Sequence, residues 1–512
     1  MSLGGGTVDN DINNAISAIE SHNEPVKIDE VLMERQQAML QEQKEIEELF
    51  QKNPLQKIKV MNINFKEDAI SFNSDVLYKY AEQTLGKVQT MEDFQIQSMI
   101  LQEKLIGNGL IQELNIGNVA ARLVDLGKVN QMPFTFSKNK VVIIEPELSF
   151  VPLKKFAAKT GSKVGNGEGD GYIQLQLRNF LKNGENLVVD VEKGTKTKSN
   201  VMVQLSRPLN IWNKVSLTFL QNKRAWGDFL MYDMNNAKLE WSYNFKFLPT
   251  SLSSLESLKR SPWNFNLSFD YAKIGLHQQN NNVFKLPFSI IKEFKPYDRL
   301  QLQLNLVKDN RDSKVTPHVG TLLKSTIQAN YIPSSQKYWE SVQFEYQNAQ
   351  SVPVSDRLLT FISSFKIGSI LQYNDERDLP ILEKFQKGGP NDVRLFNTMG
   401  LGPKTEEIMN KNNVKNKGVS LGGTGHISYG VSALYPFKKD SSFNWLVFLN
   451  GGHLTNDVRN LFNTGHTLSC GMGISFVHPV ARFELNFGVP LMSYDSDYSR
   501  GKVQYGLGMS FL

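Results

Sequence analysis

Apolar and polar positions alternate strictly along the last part of the chain. From Val480 to Val489, Ala481, Phe483, Leu485, Phe487 and Val489 are apolar, and Arg482, Glu484, Asn486 and Gly488 lie between them. Successive side chains of a strand face opposite sides, so one face is wholly apolar and the other carries two charges. Met472, Ile474 and Phe476 alternate in the same way with Gly471, Gly473 and Ser475, and His478-Pro479 reads as the turn between the two strands. Tyr505, Leu507, Met509 and Phe511 alternate with Gln504, Gly506, Gly508 and Ser510 up to the last residues. The pattern recurs upstream, in Leu239–Phe247, Trp263–Tyr271, Leu300–Leu306 and Val342–Tyr346. It fits a soluble sandwich, whose apolar faces meet, and a membrane barrel, whose apolar face meets lipid and whose polar face lines a wet lumen. The aromatic apolar faces, and a polar or glycine face kept over consecutive strands, favour an antiparallel membrane β-barrel.

The segments before the strands differ in character. Residues 1–55 are polar and acidic, with a helix-forming run at 28–52 that Asn53-Pro54 ends. Residues 56–150 read as strand, helix, helix, strand, strand: Ile58–Phe65, a helix Val76–Leu85 capped at Asn73-Ser74-Asp75, a helix Phe94–Ile106 capped at Thr90, then Gln112–Leu126 and Val141–Leu153. This is a small α+β domain. Residues 151–512 form the barrel, with room for fourteen to eighteen strands of about 10 residues plus loops.

Composition narrows the setting. No run of about 18 apolar residues exists, so no transmembrane helix is expected, and barrel strands need none. The N-terminus has neither a secretory signal nor an Arg-rich transit peptide, which for a barrel points to an organelle outer membrane. The single cysteine, Cys470, excludes an intrachain disulfide framework. Residues 1–55 hold 4 Lys/Arg and 11 Asp/Glu, and residues 56–512 hold the other 53 and 40. No basic cluster is interleaved with stacking aromatics, so nucleic acid is not expected as a partner.

Three motifs carry a resemblance. Gln504-Tyr505-Gly506-Leu507-Gly508-Met509-Ser510-Phe511 fits the mitochondrial barrel-sorting pattern, with Gln504, Gly506, Met509 and Phe511 at its defining positions. Lys308-Asp309-Asn310-Arg311-Asp312, followed by Pro317 and Gly320, resembles the D-x-R-D…P-x-x-G segment of the BamA-like outer-membrane insertase superfamily. Gly388-Gly389-Pro390-Asn391-Asp392-Val393-Arg394-Leu395-Phe396 resembles its GG…(V/I)RGF loop. Leucine 395 stands where that loop has glycine, which removes the residue a tight turn favours. In order and spacing the three resemble the central barrel subunits of mitochondrial sorting and assembly machineries, from about residue 56 onward.

The resemblance implies sixteen strands, and a POTRA-like identity for residues 56–150, facing the intermembrane space. It implies a non-enzymatic insertase of β-barrel precursors in the mitochondrial outer membrane. The partners would be those precursors (porin, the translocase pore subunit), peripheral helper subunits and the bilayer. It further implies that the loop folds into the lumen and that Arg394 pairs with late strands. Glu484 is the preferred partner, with Asn450 a lesser contact. A passive organelle pore is the alternative reading, and a soluble sandwich binding module the third.

Gly165, Gly167, Gly169 and Gly171 mimic a phosphate loop, but no Gly-Lys-Ser/Thr follows and strand residues do: Tyr172, Ile173, Gln174, Leu175, Gln176 and Leu177. We read the glycines as the start of the first barrel strand and residues 172–177 as its edge. That edge would form a weak lateral gate against the last strand. The seven histidines show no metal-ligand spacing and Cys470 has no partnered base. Neither a catalytic set nor a cofactor or metal site is expected.

Deleting residues 1–52 is expected to leave a folded, membrane-integrated protein, because nothing in that segment completes a sheet. Carbonate extraction of mitochondria carrying the truncated chain checks this, and release into the soluble fraction would count against it.

Overall fold

Alternation on the scale of the whole chain produces a sheet with an inverted distribution of polarity. The computed structural model describes residues 57–65, 74–125, 140–165, 168–227, 230–244, 263–279, 284–373, 379–406, 408–410, 415–416, 418–439, 441–463, 465–478, 482–494, 496–499 and 503–508. The expected helix at 28–52, Gly167, Phe245, Phe247, Met509 and Phe511 lie outside these residues.

The chain separates into two compact units: Met1–Ala69 with Tyr78–Gln102 and Glu113–Val151, and Ile70–Leu77 with Glu103–Gln112 and Pro152–Leu512. Strands β1 (Ile58–Val60) and β2 (Asn64–Phe65) both run parallel to β4 (Lys140–Pro152), and β3 (Ile111–Asp125) pairs with β4 as well. Between β2 and β3 come helices α1 (Ser74–Thr84) and α2 (Met91–Gly107). Thr90 caps α2, its Oγ1 accepting from Asp93 N at 3.1 Å. Val142, Ile144 and Leu148 are buried on one face of β4.

Sixteen strands make the second sheet, neighbours in sequence pairing antiparallel. They are β5 (Phe156–Gly165), β6 (Glu168–Arg178), β7 (Asn186–Gly194), β8 (Thr197–Pro208), β9 (Asn213–Trp226), β10 (Leu230–Asn244) and β11 (Asn264–Gln278). A short strand, β12 (Phe284–Lys285), and helix α3 (Phe288–Ile291) precede β13 (Tyr297–Asp309), β14 (Gly320–Ile332), β15 (Lys337–Val354) and β16 (Arg357–Gln372). Two more short strands complete a separate small sheet, β17 (Ile408–Asn410) pairing with β12 and β18 (Lys415–Asn416) with β17. The barrel resumes with β19 (Gly425–Pro436), β20 (Phe443–Thr455), β21 (Thr467–Val477), β22 (Arg482–Met492) and β23 (Val503–Gly508). The sheet curls until β23 lies beside β5. Among the described residues no ladder joins these two ends.

Polarity identifies the solvent of each face. On β20 the exposed positions are Phe443, Trp445, Val447 and Leu449, while Asn444 and Asn450 are buried. On β22 Phe483, Phe487 and Val489 are exposed, while Arg482, Glu484 and Asn486 are buried. In water this costs roughly 25 cal/mol for each Å² of apolar surface left wet. In a bilayer the same arrangement is the stable one. The structure is therefore an antiparallel membrane β-barrel of sixteen strands, with a small α+β segment ahead of it.

The first strand is not where the sequence placed it. Gly165, Gly169 and Gly171 fall at the hairpin between β5 and β6, and residues 172–177 belong to β6, the second strand. Tyr172–Leu177 pair with β5 on one side and β7 on the other, so they present no open edge. The edge strand is β5, Phe-Ala-Ala-Lys-Thr-Gly-Ser-Lys-Val-Gly, whose small residues give almost no apolar alternation.

Leu449→Lys, near the middle of the lipid-facing row of β20, is expected to destabilise the barrel in a bilayer by about 2–4 kcal/mol, whereas Leu449→Val should cost well under half of that. Urea titration of the folded protein in lipid vesicles measures both.

Candidate functional site

The long connection from β16 to β19 turns back into the lumen, and its tip meets the buried faces of the last four strands. Gly388 and Gly389 make the bend with φ of 101° and 123°, a region open to glycine. A Cβ on Gly388 would lie 2.8 Å from the Asn397 carbonyl oxygen. Asp392 Oδ2 accepts from Gly388 N at 2.9 Å, and Lys387 Nζ lies 3.6 Å from Asp392 Oδ1. Burial opposes the charge of Asp392, but Lys387 and the Gly388 N–H hold its carboxyl below the usual range. Val393, Arg394, Leu395 and Phe396 follow, all fully buried.

Arg394 makes a two-point ion pair with Glu484 of β22. Its Nε donates to Oε2 at 2.9 Å and its Nη2 to Oε1 at 3.2 Å. Neither side chain has any exposed surface. Glu484 also takes Arg482 Nη2 at 2.7 Å and Asn486 Nδ2 at 3.1 Å. The guanidinium lies 5.1 Å from the Phe448 ring centroid. Asn450 sits beside it. With its amide turned to satisfy both ends, its oxygen accepts from Arg394 Nη1 and N at 3.2 Å, and its nitrogen donates to Ser469 Oγ at 2.6 Å. Ser469 Oγ then donates to the Arg394 carbonyl at 2.8 Å.

The backbone beyond Arg394 is held by the last strand. Leu395 N donates to Gln504 Oε1 and Gln504 Nε2 donates to Phe396 O, each at 2.8 Å. Leu395 has φ +69°, so the left-handed turn forms without its usual glycine. That costs about 1–2 kcal/mol. Burying the leucine among Ala349, Ile362, Leu434, Leu446 and Phe448 returns an amount of the same order, about 1.5–3 kcal/mol. Gly488 makes the space: a Cβ there would meet Leu395 Cδ1 at 2.7 Å.

A second anchor lies before the tip. Arg299 Nη1 of β13 donates to Glu383 Oε2 at 2.9 Å and Oε1 at 3.2 Å, and Tyr297 OH donates to Oε1 at 2.9 Å. The loop thus bridges the eighth strand, β13, and the fifteenth, β22.

The D-x-R-D segment lies at the end of β13 and in the turn that follows. Asp309 pairs with Arg311 Nε at 2.8 Å, and Asp312 Oδ1 accepts from the N–H groups of Ser313, His318 and Val319. Gly320, with φ +114°, approaches the Asn310 carbonyl too closely for a Cβ. Pro317 lies in the turn this builds. Arg482, Asn486 and Ser469 were not singled out in the sequence. The alternation that puts Glu484 on the lumen face puts Arg482 and Asn486 there too, which was the available signal.

A model of the Omp85 superfamily domain matches residues 179–511. The chain belongs to the Omp85 superfamily. Among Omp85-type relatives, the Sorting assembly machinery 50 kDa subunit of Saccharomyces cerevisiae is 29% identical over 396 residues, covering 72% of this chain and 77% of the yeast protein. The Sorting and assembly machinery component 50 homolog of Homo sapiens is 26% identical over 380 residues, covering 70% and 74%. In fold the chain is similar to BamA from Haemophilus ducreyi lacking POTRA domains 1–3, with a TM-score of 0.61, 12% identity and coverage of 88% of this chain and 84% of that one. Omp85 barrels of this kind are insertases or channels and not enzymes.

Arg394→Ala should destabilise this Omp85 barrel by about 3 kcal/mol, the lower end of the range for a broken buried pair, because Arg482 still faces Glu484. Glu484→Gln in the same chain should recover part of the loss. Unfolding midpoints of the two single variants and the double variant form the cycle, and strictly additive effects would sink the coupling.

Proposed function

We propose that this protein inserts β-barrel precursors into the mitochondrial outer membrane by receiving each precursor's sorting-signal strand at the edge of β5. The observation that carries the reading is the seam. Among the described residues β5 pairs only with β6, and β23 only with β22, although the two strands lie side by side. Backbone groups left bare within lipid are costly, so an incoming strand lowers the free energy by pairing with β5. The chain's last strand carries the sorting pattern, and a precursor with the same pattern can take its place with little net change in hydrogen bonds. The gate residues are Phe156–Gly165, in place of residues 172–177.

In this reading residues 56–150 are a POTRA-like domain that faces the intermembrane space. Substrates include porin-like barrels and the translocase pore subunit, and peripheral subunits of a sorting complex are the other partners. The loop is the brace that keeps the late strands in place while the seam works. Its buried tip, with Arg394, Leu395 and Phe396 filling lumen space, argues against a passive open pore.

In a Cys470→Ser background, single cysteines at Ala157, Ala158, Lys159 and Thr160 are expected to form disulfides with a cysteine in the signal strand of an arrested precursor, in one register. A disulfide between β5 and Val503→Cys or Tyr505→Cys should block insertion and leave the barrel folded. Full insertion by the locked barrel under oxidising conditions would rule out entry at this seam.

A further inference from the structure

The contact between the loop tip and the last strand is a recognition geometry as well as a brace. Gln504 is fully buried, and its carboxamide meets two backbone groups that the left-handed turn at Leu395 sets side by side, one donor and one acceptor. That pair is the complement of a primary carboxamide, which carries an acceptor oxygen and an NH₂ donor on one plane. A carboxylate satisfies only the Leu395 N–H, and an ammonium only the Phe396 carbonyl. An aliphatic side chain satisfies neither. Leu395 and Phe396 have no exposed surface, so a group left unmatched there bears its full desolvation cost.

The next lumen-facing position is constrained by the same tip. Gly506 stands opposite Glu484 in the β22–β23 ladder and is buried, at the level of the Arg394–Glu484 pair. A side chain there would enter the space around that pair. The tip therefore imposes two conditions on the strand beside it: a carboxamide, then, two residues on, no side chain. These are the polar and glycine positions of the pattern Gln504-x-Gly506-x-x-Met509-x-Phe511, whose two apolar positions have the opposite parity in the sequence.

We propose that the Leu395 N–H and the Phe396 carbonyl read the polar position of an incoming signal strand, with a preference for carboxamide side chains, and that Gln504 occupies this reader at rest. The proposal rests on the strand-exchange reading above. It assigns a specificity-determining role to two backbone groups, and it makes Gln504 a competitor of the substrate as well as a part of the wall.

The test uses the full-length protein in lipid vesicles, with Cys470→Ser and single cysteines at Ala157, Ala158, Lys159 and Thr160. The probes are peptides of residues 501–512 carrying Tyr505→Cys and Gln, Glu, Lys or Met at position 504. Disulfide capture at β5 is read against peptide concentration. The Gln peptide should be captured at about tenfold lower concentration than the Met peptide, the expectation for two neutral hydrogen bonds in a dry site. Gln504→Met in the protein should improve capture of the Gln and Met peptides by the same factor, because each must displace the resident strand, and should leave the Gln-over-Met ratio unchanged. Equal capture of all four peptides at β5 overturns the reader and leaves strand exchange standing. Capture of none of them in a folded barrel overturns strand exchange itself. If Gln504→Met fails to fold, the peptide series on the unaltered position 504 decides the question alone.

Discussion

A carboxylate and a guanidinium with no access to solvent set the terms for the C-terminal half of this barrel. Removing two such charges from bulk water costs several kcal/mol per ion unless every remaining donor and acceptor is met. Glu484 meets that demand with Arg394, Arg482 and Asn486, and Arg394 with Glu484, Asn450 and the Phe448 ring. The partners come from the loop, from two positions of β20 and from two further positions of β22. The polar inner faces of the late strands are thus the solvation shell of one ion pair, and their apolar outer faces are the counterpart imposed by the pleat.

The loop that delivers Arg394 is fixed at a second place by charges of the opposite sense. There the loop supplies the acid, Glu383, and the wall supplies the base, Arg299. Two anchors on β13 and β22 leave the connection little freedom to swing out of the lumen as a body. Whatever motion the seam makes, the strands behind it are tied across the barrel to its far side. Gln504 extends this tie to the last strand by way of main-chain groups.

Strand identity and the Arg394–Glu484 pair were legible because alternation is strong where lipid meets aromatic side chains, as in β20 and β22, and because the loop motif is distinctive; alternation left the strand count between fourteen and eighteen, and sixteen came from the resemblance. The first strand was not legible. Between Phe156 and Gly165 the residues are mostly small or cationic, and no apolar row announces a lipid face. The stronger signal of Tyr172–Leu177 then drew the boundary one strand too late. The turn at Leu395 was obscured for a different reason. A leucine argues against positive φ by itself, and only the room left by Gly488, 93 positions along the chain, makes it tolerable. Contacts between the loop and Gln504 span 108 and 109 positions and leave no local trace in the sequence.

Those separations bear on how the molecule itself is made. The buried side chain of Leu395 at the tip is walled in by β15, β16, β19 and β20, and the last strand meets the backbone beside it. Closing so long a stretch of chain is slow, and its entropy is lost before any bond at the far end forms. The contacts of β23 with the tip are therefore among the costliest of the barrel to close. A chain short of its last strand would leave the Leu395 N–H and the Phe396 carbonyl without the carboxamide that meets them, at the full cost of two buried polar groups.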